Sequence, residues 1–265
     1  AMPETESSPP VLFSTIRTAS GQAFGRATLN APASLNALSL AMVDLLDPQL
    51  ARWATDPDIV GVVLDGAGEK AFCAGGDVVG LYRSIRSTPA GEVPRDAAAF
   101  FEREYRLDYR IHRYPKPVLC WGHGIVMGGG IGLMAGASHR IVTPKTRMAM
   151  PEIGIGLYPD VGGSYVLPRL PKKAGLFLAL TGATINAADA LYAGLADVAL
   201  APEHRSAVIE AITTARWQGN PAADGAQLTR LLETLAVGVA LPASPLPRRT
   251  KTMSRSKMRA AKVGK

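Results

Sequence analysis

The tightest constraint in this sequence is the run Met127-Gly128-Gly129-Gly130. It follows Val118-Leu119-Cys120-Trp121, which reads as a short buried strand. It precedes Ile131-Gly132-Leu133-Met134-Ala135, which reads as the start of a buried helix. A strand, a glycine turn and a helix N-terminus in succession bring bare backbone N–H groups to a ligand. Glycine accepts φ > 0 and carries no Cβ. The first N–H groups of a helix have no intrahelical acceptor and lie at the positive end of its dipole. A second glycine turn, Ala74-Gly75-Gly76-Asp77, stands ahead of a helix starting near Val78. Either turn alone is a packing device that any α/β protein uses. Together they can aim two N–H donors at one oxygen of a thioester enolate or tetrahedral oxyanion, each worth roughly 2.7–4 kcal/mol in the transition state.

Two carboxylates follow the first turn: Glu152 in Met150-Pro151-Glu152 and Asp160 in Tyr158-Pro159-Asp160. A lone acid is usually a surface or cap carboxylate. Here the flanks Met148-Ala149-Met150-Pro151 and Ile153-Gly154-Ile155-Gly156-Leu157 are apolar, and a carboxyl held there has a raised pKa and serves as base or nucleophile. An oxyanion turn followed by paired acids points to acyl chemistry. A dinucleotide site fits poorly, because Gly122-His123-Gly124-Ile125-Val126-Met127-Gly128 is one residue too long for the fingerprint and no ribose-binding acid follows. His112, His123, His139 and His204 share no ligand spacing, so no metal is expected. Cys73 and Cys120 form no disulfide framework and read as structural thiols of a reducing, cytoplasmic compartment. No apolar run is long enough to span a membrane, and the polar, acidic N-terminus lacks a signal-peptide pattern.

The net charge of +7 belongs to one end of the chain. Pro247 to Lys265 holds eight basic residues and no acid; taking them from 29 leaves 21 basic against 22 acidic elsewhere. A solvated, disordered tail is expected, and nothing else supports nucleic-acid recognition.

Apolar runs alternate with helical patterns through the first two hundred residues, an α/β arrangement of βαβ units followed by helices. Strands are expected at Val11 to Arg17, Gly25 to Leu29, Ile59 to Leu64, His139 to Val142 and Ala196 to Ala199. Ser39 is placed to cap a helix from Leu40 to Ala54 with Met42, Leu45, Leu46 and Leu50 on one face. Asp65 to Asp77 reads as a loop, and Ser84 to Arg95 as a polar connection. Asp96 opens a long helix whose charged residues, Glu102 to Arg110, read mostly as a solvated face. Helices are expected from Lys173 to Leu180, Ala187 to Ala193, Glu203 to Arg216 and Gly225 to Leu235, with no packed structure after Ala240.

At Leu35-Asn36-Ala37-Leu38, Lys70 to Asp77, Lys116-Pro117, His123-Gly124, Met127 to Gly130 and Met150-Pro151-Glu152, the chain resembles the enoyl-CoA hydratase/isomerase (crotonase) superfamily. The resemblance implies a crotonase-like spiral of ββα units over residues 11–200, a C-terminal helical region at 201–240 and the basic tail at 241–265. It implies acyl-CoA substrates, no separate cofactor, and a homo-oligomer, a trimer or hexamer. The oxyanion hole would come from the backbone N–H groups of Gly76 and Gly129. The loop of Lys70, Ala71, Ala74 and Asp77 would bind the CoA moiety.

Hydratases of this family carry a glutamate two residues after the triple glycine, where this chain has Gly132. Where they commonly have glycine, it has Asp160. That segment, with Phe101-Glu102-Arg103-Glu104-Tyr105 and Leu167-Pro168-Arg169-Leu170, is similar to the 3-hydroxyisobutyryl-CoA hydrolase branch, which acts in valine catabolism. In that branch Glu152 attacks the thioester or activates water, Asp160 assists, and Glu104 contacts the hydroxyl end of the acyl group. The resemblance fades after Ser244-Pro245-Leu246, so the helical part is expected to be shorter than in that branch. An enoyl-CoA hydratase or isomerase and an inactive CoA-binding protein are the alternatives.

Overall fold

The structure is a computed structural model that describes residues 8–251. β1 (Val11–Arg17) and β2 (Ala23–Leu29) form an antiparallel hairpin. α1 (Leu40–Thr55) follows, its N-terminus capped by Ser39 Oγ accepting from the Met42 N–H at 3.3 Å. β3 (Ile59–Gly66) then pairs parallel with β2 and is buried along its whole length, as a parallel strand covered on both faces must be.

From β3 onward, strands come in pairs that split between two sheets. β4 (Ala71–Cys73) belongs to the second sheet. α2 (Val78–Ser87) and α3 (Arg95–His112) lead to β5 (Val118–Gly122) in the first sheet and β6 (Ile125–Met127) in the second. α4 (Gly129–Ala135) leads to β7 (His139–Val142) and β8 (Arg147–Ala149), again one in each sheet. α5 (Gly163–Val166) and α6 (Ala174–Thr181) precede β9 (Ile185–Asn186) at the edge of the second sheet. α7 (Ala187–Ala193) and β10 (Val198–Ala199) close the first sheet. α8 (His204–Thr214), α9 (Pro221–Leu235) and α10 (Leu246–Lys251) complete the described residues. The sheet orders are β1-β2-β3-β5-β7-β10 and β4-β6-β8-β9, the ββα spiral that the family resemblance implies.

The first sheet has a core on each face. Val62 and Leu64 pack with Leu46, Leu50 and Leu107 of α1 and α3, while Val60 and Val63 meet Val208, Ile212 and Leu228 of α8 and α9. At the end of β3 the buried Asp65 accepts from Arg26 at 2.7 Å, Thr28 at 2.6 Å and Arg205 at 2.8 Å, tying α8 to the sheet. Gly182 and Gly194, both left-handed, end α6 and α7.

Five details differ from the sequence reading. β4 lies inside the segment read as a loop, and β6 and β8 are further strands; three residues are too few for a period to register. α2 runs on to Ser87. Leu45 is 37 % exposed, and the buried face of α1 is Met42, Val43, Leu46, Leu50 and Trp53. Glu104 and Asp108, read with a solvated face, are buried. Packed structure also continues past Ala240: Ser244 Oγ and the Leu246 N–H donate to Asp189 Oδ1 at 2.6 and 2.9 Å, Leu246 is fully buried, and α10 follows. The rest of the basic tail, 252–265, lies outside the described residues.

Candidate active site

Sheet order builds the site. β4, β6 and β8 are neighbouring parallel strands, so the segments leaving their C-terminal ends emerge side by side. Those segments are Gly75-Gly76, Gly128-Gly129 and Met150-Pro151-Glu152. Gly75 (φ +111°) and Gly128 (φ +47°) turn the chain in regions that a side chain resists. A Cβ on Gly129 would stand 3.4 Å from the Gly76 nitrogen, so the two glycine turns lie against each other. Neither the Gly76 nor the Gly129 backbone N–H has an acceptor among the described residues.

Glu152 opens a 3₁₀ turn (Glu152–Ile155) and is 6 % exposed. Its Oε1 lies 3.0 Å from where a Cβ on Gly128 would be, and its Oε2 has no hydrogen-bond partner among the described residues. Burial, with some repulsion from Asp160, pushes its carboxyl up to about 7. Asp160 Oδ2 accepts from the Tyr105 hydroxyl of α3 at 2.7 Å. Burial and that bond push the phenol upward, so it stays a donor. The next residue, Val161, is buried with φ +40°, a conformation costing a β-branched residue about 1–3 kcal/mol.

α3 delivers the third acid. Glu104 is 2 % exposed, and its Oε1 would lie 2.5 Å from a Cβ on Gly129. Burial, then repulsion from Asp108, Asp160 and Glu152, pushes it up to about 9. Asp108, one turn on, was missed as a site residue. It is buried, lines a cleft with Tyr105 and Asp160, and has its carboxyl raised by burial and then by Asp160. A signal was present: the buried positions of α3 are Ala97, Phe100, Glu104, Leu107, Asp108 and Ile111, one helical stripe interrupted by two acids.

The structure thus brings Gly76, Gly129, Glu104 and Glu152 together, with Asp160 near enough to repel both glutamates and itself lining a cleft of about 850 Å³. Lys70 and Ala71 instead line a separate cleft of about 190 Å³ with Asn36 and Gly68. Asn36 Nδ2 holds that loop by donating to the carbonyls of Ala67 at 3.0 Å and Ala71 at 2.9 Å. Ala74 lies between the two clefts in sequence, its N–H donating to Leu35 O at 3.0 Å. The Asp77 carboxylate caps α2, accepting from the Gly80 N–H at 3.0 Å. Both cysteines are buried, and burial pushes the Cys73 thiol up to about 12. Among the described residues no three His, Cys, Asp or Glu side chains gather as a metal site.

Two neighbouring N–H groups without acceptors among the described residues, a buried glutamate raised to about 7 and a tyrosine-held aspartate on a two-sheet ββα spiral define a class. The chain belongs to the enoyl-CoA hydratase/isomerase family, whose pattern it matches over residues 24–259. The 3-hydroxyisobutyryl-CoA hydrolase, mitochondrial, of Xenopus tropicalis is 49 % identical over 173 residues, 65 % of this chain and 43 % of that protein. The human protein of the same name is 45 % identical over 172 residues, again 65 % and 43 % of the two chains. The chain therefore spans less than half the length of these relatives. Among solved structures, a carnitinyl-CoA dehydratase from Mycobacterium thermoresistibile superposes with a TM-score of 0.80 at 38 % identity, covering 96 % of this chain and 70 % of that one. An enoyl-CoA hydratase from Rhodobacter sphaeroides gives 0.75 at 34 % identity, covering 97 % and 70 %.

Proposed function

We propose that this chain hydrolyses a short 3-hydroxyacyl-CoA thioester, 3-hydroxyisobutyryl-CoA, to the free hydroxy acid and CoA, a step of valine catabolism. The observation that carries the reading is Glu152 with Asp160 and no acid at position 132. Water addition in the hydratases of this family uses a glutamate at each of the first and third of these positions, and Gly132 removes one. The hydrolase relatives point the same way.

The thioester carbonyl oxygen accepts from Gly76 and Gly129. Glu152 either bonds to the carbonyl carbon, giving an acyl-glutamyl anhydride that water cleaves, or takes a proton from water that bonds there. In both routes negative charge collects on the oxygen facing the two N–H groups, the C–S bond breaks, and the sulfur leaves with its electron pair. Asp160, held by Tyr105, orients the water. Glu104, protonated, meets the hydroxyl of the acyl chain. The cleft at Lys70, Ala71 and Asn36 receives the CoA end.

The test is thiol release from 3-hydroxyisobutyryl-CoA and, separately, crotonyl-CoA. Release from the first, lost in Glu152→Gln and Asp160→Asn with CoA binding mostly intact, is the expected result. Loss of crotonyl absorbance without thiol release would favour the hydratase reading that the two solved structures' names suggest. Binding without turnover would make the chain an inactive CoA-binding protein.

We also infer a homo-oligomer, a trimer or hexamer, because Val78, Val79, Tyr82 and Ile85 leave one face of α2 apolar and more than half exposed; the particle mass in solution, measured by light scattering, tests it. No described helix is long and apolar enough to cross a membrane. The two buried free thiols suit a reducing compartment, and we place the chain in the cytoplasm; fractionation of cells expressing it is the check.

A further inference from the structure

Asp108 is the acid that the reaction above does not use. It sits one turn after Glu104, so both project from α3 toward α4. It is 8 % exposed and lines the large cleft beside Tyr105, Gly132 and Asp160. Neither carboxyl oxygen has a hydrogen-bond partner among the described residues. Asp65 and Asp189, buried as deeply, are each met by at least two donors. A stranded polar group weakens a fold, and a leucine here would continue the apolar stripe of α3.

The carboxyl reaches the cleft because position 132 has no side chain. A Cβ on Gly132 would stand 2.8 Å from Asp108 Oδ2 and 3.0 Å from Oδ1. Glu104 stands in the same relation to Gly129. The two acids therefore face points on α4 three residues apart, about 4.5 Å along its axis. Glu104 adjoins the oxyanion pair, and Asp108 lies further along, at the reach of a substituent two or three carbons from the carbonyl. Burial raises both carboxyls, Glu104 to about 9, and so favours their neutral form; a neutral carboxyl both donates and accepts, as a hydroxyl does.

We infer that Asp108 is a specificity-determining residue that hydrogen-bonds a hydroxyl on the acyl chain, as a second anchor beyond Glu104, and so selects hydroxylated over plain acyl-CoA thioesters. This deepens the proposed function and rests on it for the acyl-CoA nature of the ligand. Leaving a buried polar group unmatched corresponds to a loss of about tenfold to a hundredfold.

The experiment compares 3-hydroxyisobutyryl-CoA with isobutyryl-CoA, which differ by one hydroxyl. Dissociation constants are measured by calorimetry in the Glu152→Gln background, with and without Asp108→Leu or Asp108→Asn; kcat/KM is measured in the chain with Glu152 intact. The expected result is a preference for the hydroxylated thioester that falls about tenfold or more in Asp108→Leu, leaving what Glu104 supplies, and is retained in Asp108→Asn. A preference unchanged in Asp108→Leu, or equal weakening of both ligands, overturns the assignment. Asp108→Ala serves if the leucine variant is insoluble. A binding preference without thiol release from the chain with Glu152 intact would sink the hydrolase reading and leave Asp108's role standing. Thiol release with no Asp108-dependent preference would do the reverse.

Discussion

Replacing Glu104 by glutamine makes this protein more stable, and increasingly so as the pH rises. The carboxyl is pushed from an ordinary value of 4.5 to about 9 in the fold. Between those values the unfolded chain releases the proton while the folded chain keeps it. The folded state binds more protons, so stability falls as pH climbs through that window. Each pH unit is worth about 1.4 kcal/mol, so the penalty is about 0.7 kcal/mol at pH 5, about 3 at pH 7 and about 5 at pH 8. Glutamine does not titrate and keeps the shape. Asp108 and Glu152 titrate in both proteins and cancel in the difference. A gain of about 3 kcal/mol is a large part of the 5–15 kcal/mol that holds a domain folded. Urea unfolding of both proteins at pH 5, 6, 7 and 8 reads it directly. A stability gap that stays constant across that range would refute the reasoning, because it would mean that Glu104 takes up no extra proton on folding.

Thiol release is expected to rise as pH passes through about 7, where Glu152 ionises and becomes competent as base or nucleophile; a flat kcat/KM profile from pH 6 to 8 would remove it from that role. Gly129→Ala sets a methyl 2.5 Å from Glu104 Oε1 and beside the Gly76 N–H, and kcat should fall about a hundredfold or more with an unchanged circular dichroism spectrum. Leu246→Ala empties a fully buried site under α10 and is expected to cost about 2–5 kcal/mol in urea unfolding; a negligible loss would mean that α10 is not part of the packed core.

Much of this architecture was legible because it is local. A run of buried residues in β3 marks a parallel strand, Ser39 marks a helix start, and Gly182 and Gly194 mark helix ends, each through the bonding of a few consecutive residues. The turns at Gly75-Gly76 and Gly128-Gly129 and the acids Glu152 and Asp160 were readable for the same reason. The helix α3 was legible too, but its buried face was not, because the stripe carries two acids, and charge alone reads as solvent exposure. Only packing against α4 shows that Glu104 and Asp108 face inward, through the gaps left at Gly129 and Gly132.

The sequence by itself determined the alternation of strands and helices, the two glycine turns and the positions of the candidate acids through short-range patterns and motif chemistry, while the ββα spiral was legible only through the family resemblance. The tertiary structure alone decided which of those pieces meet. The parallel neighbours β4, β6 and β8 end at one edge and so deliver Gly76, Gly129 and Glu152 together. Tyr105 reaches Asp160 across 55 residues of chain, and Asp189 holds the segment before α10 across 57. Such contacts have no local period, because they are set by how sheets and helices stack and not by the residues on either side.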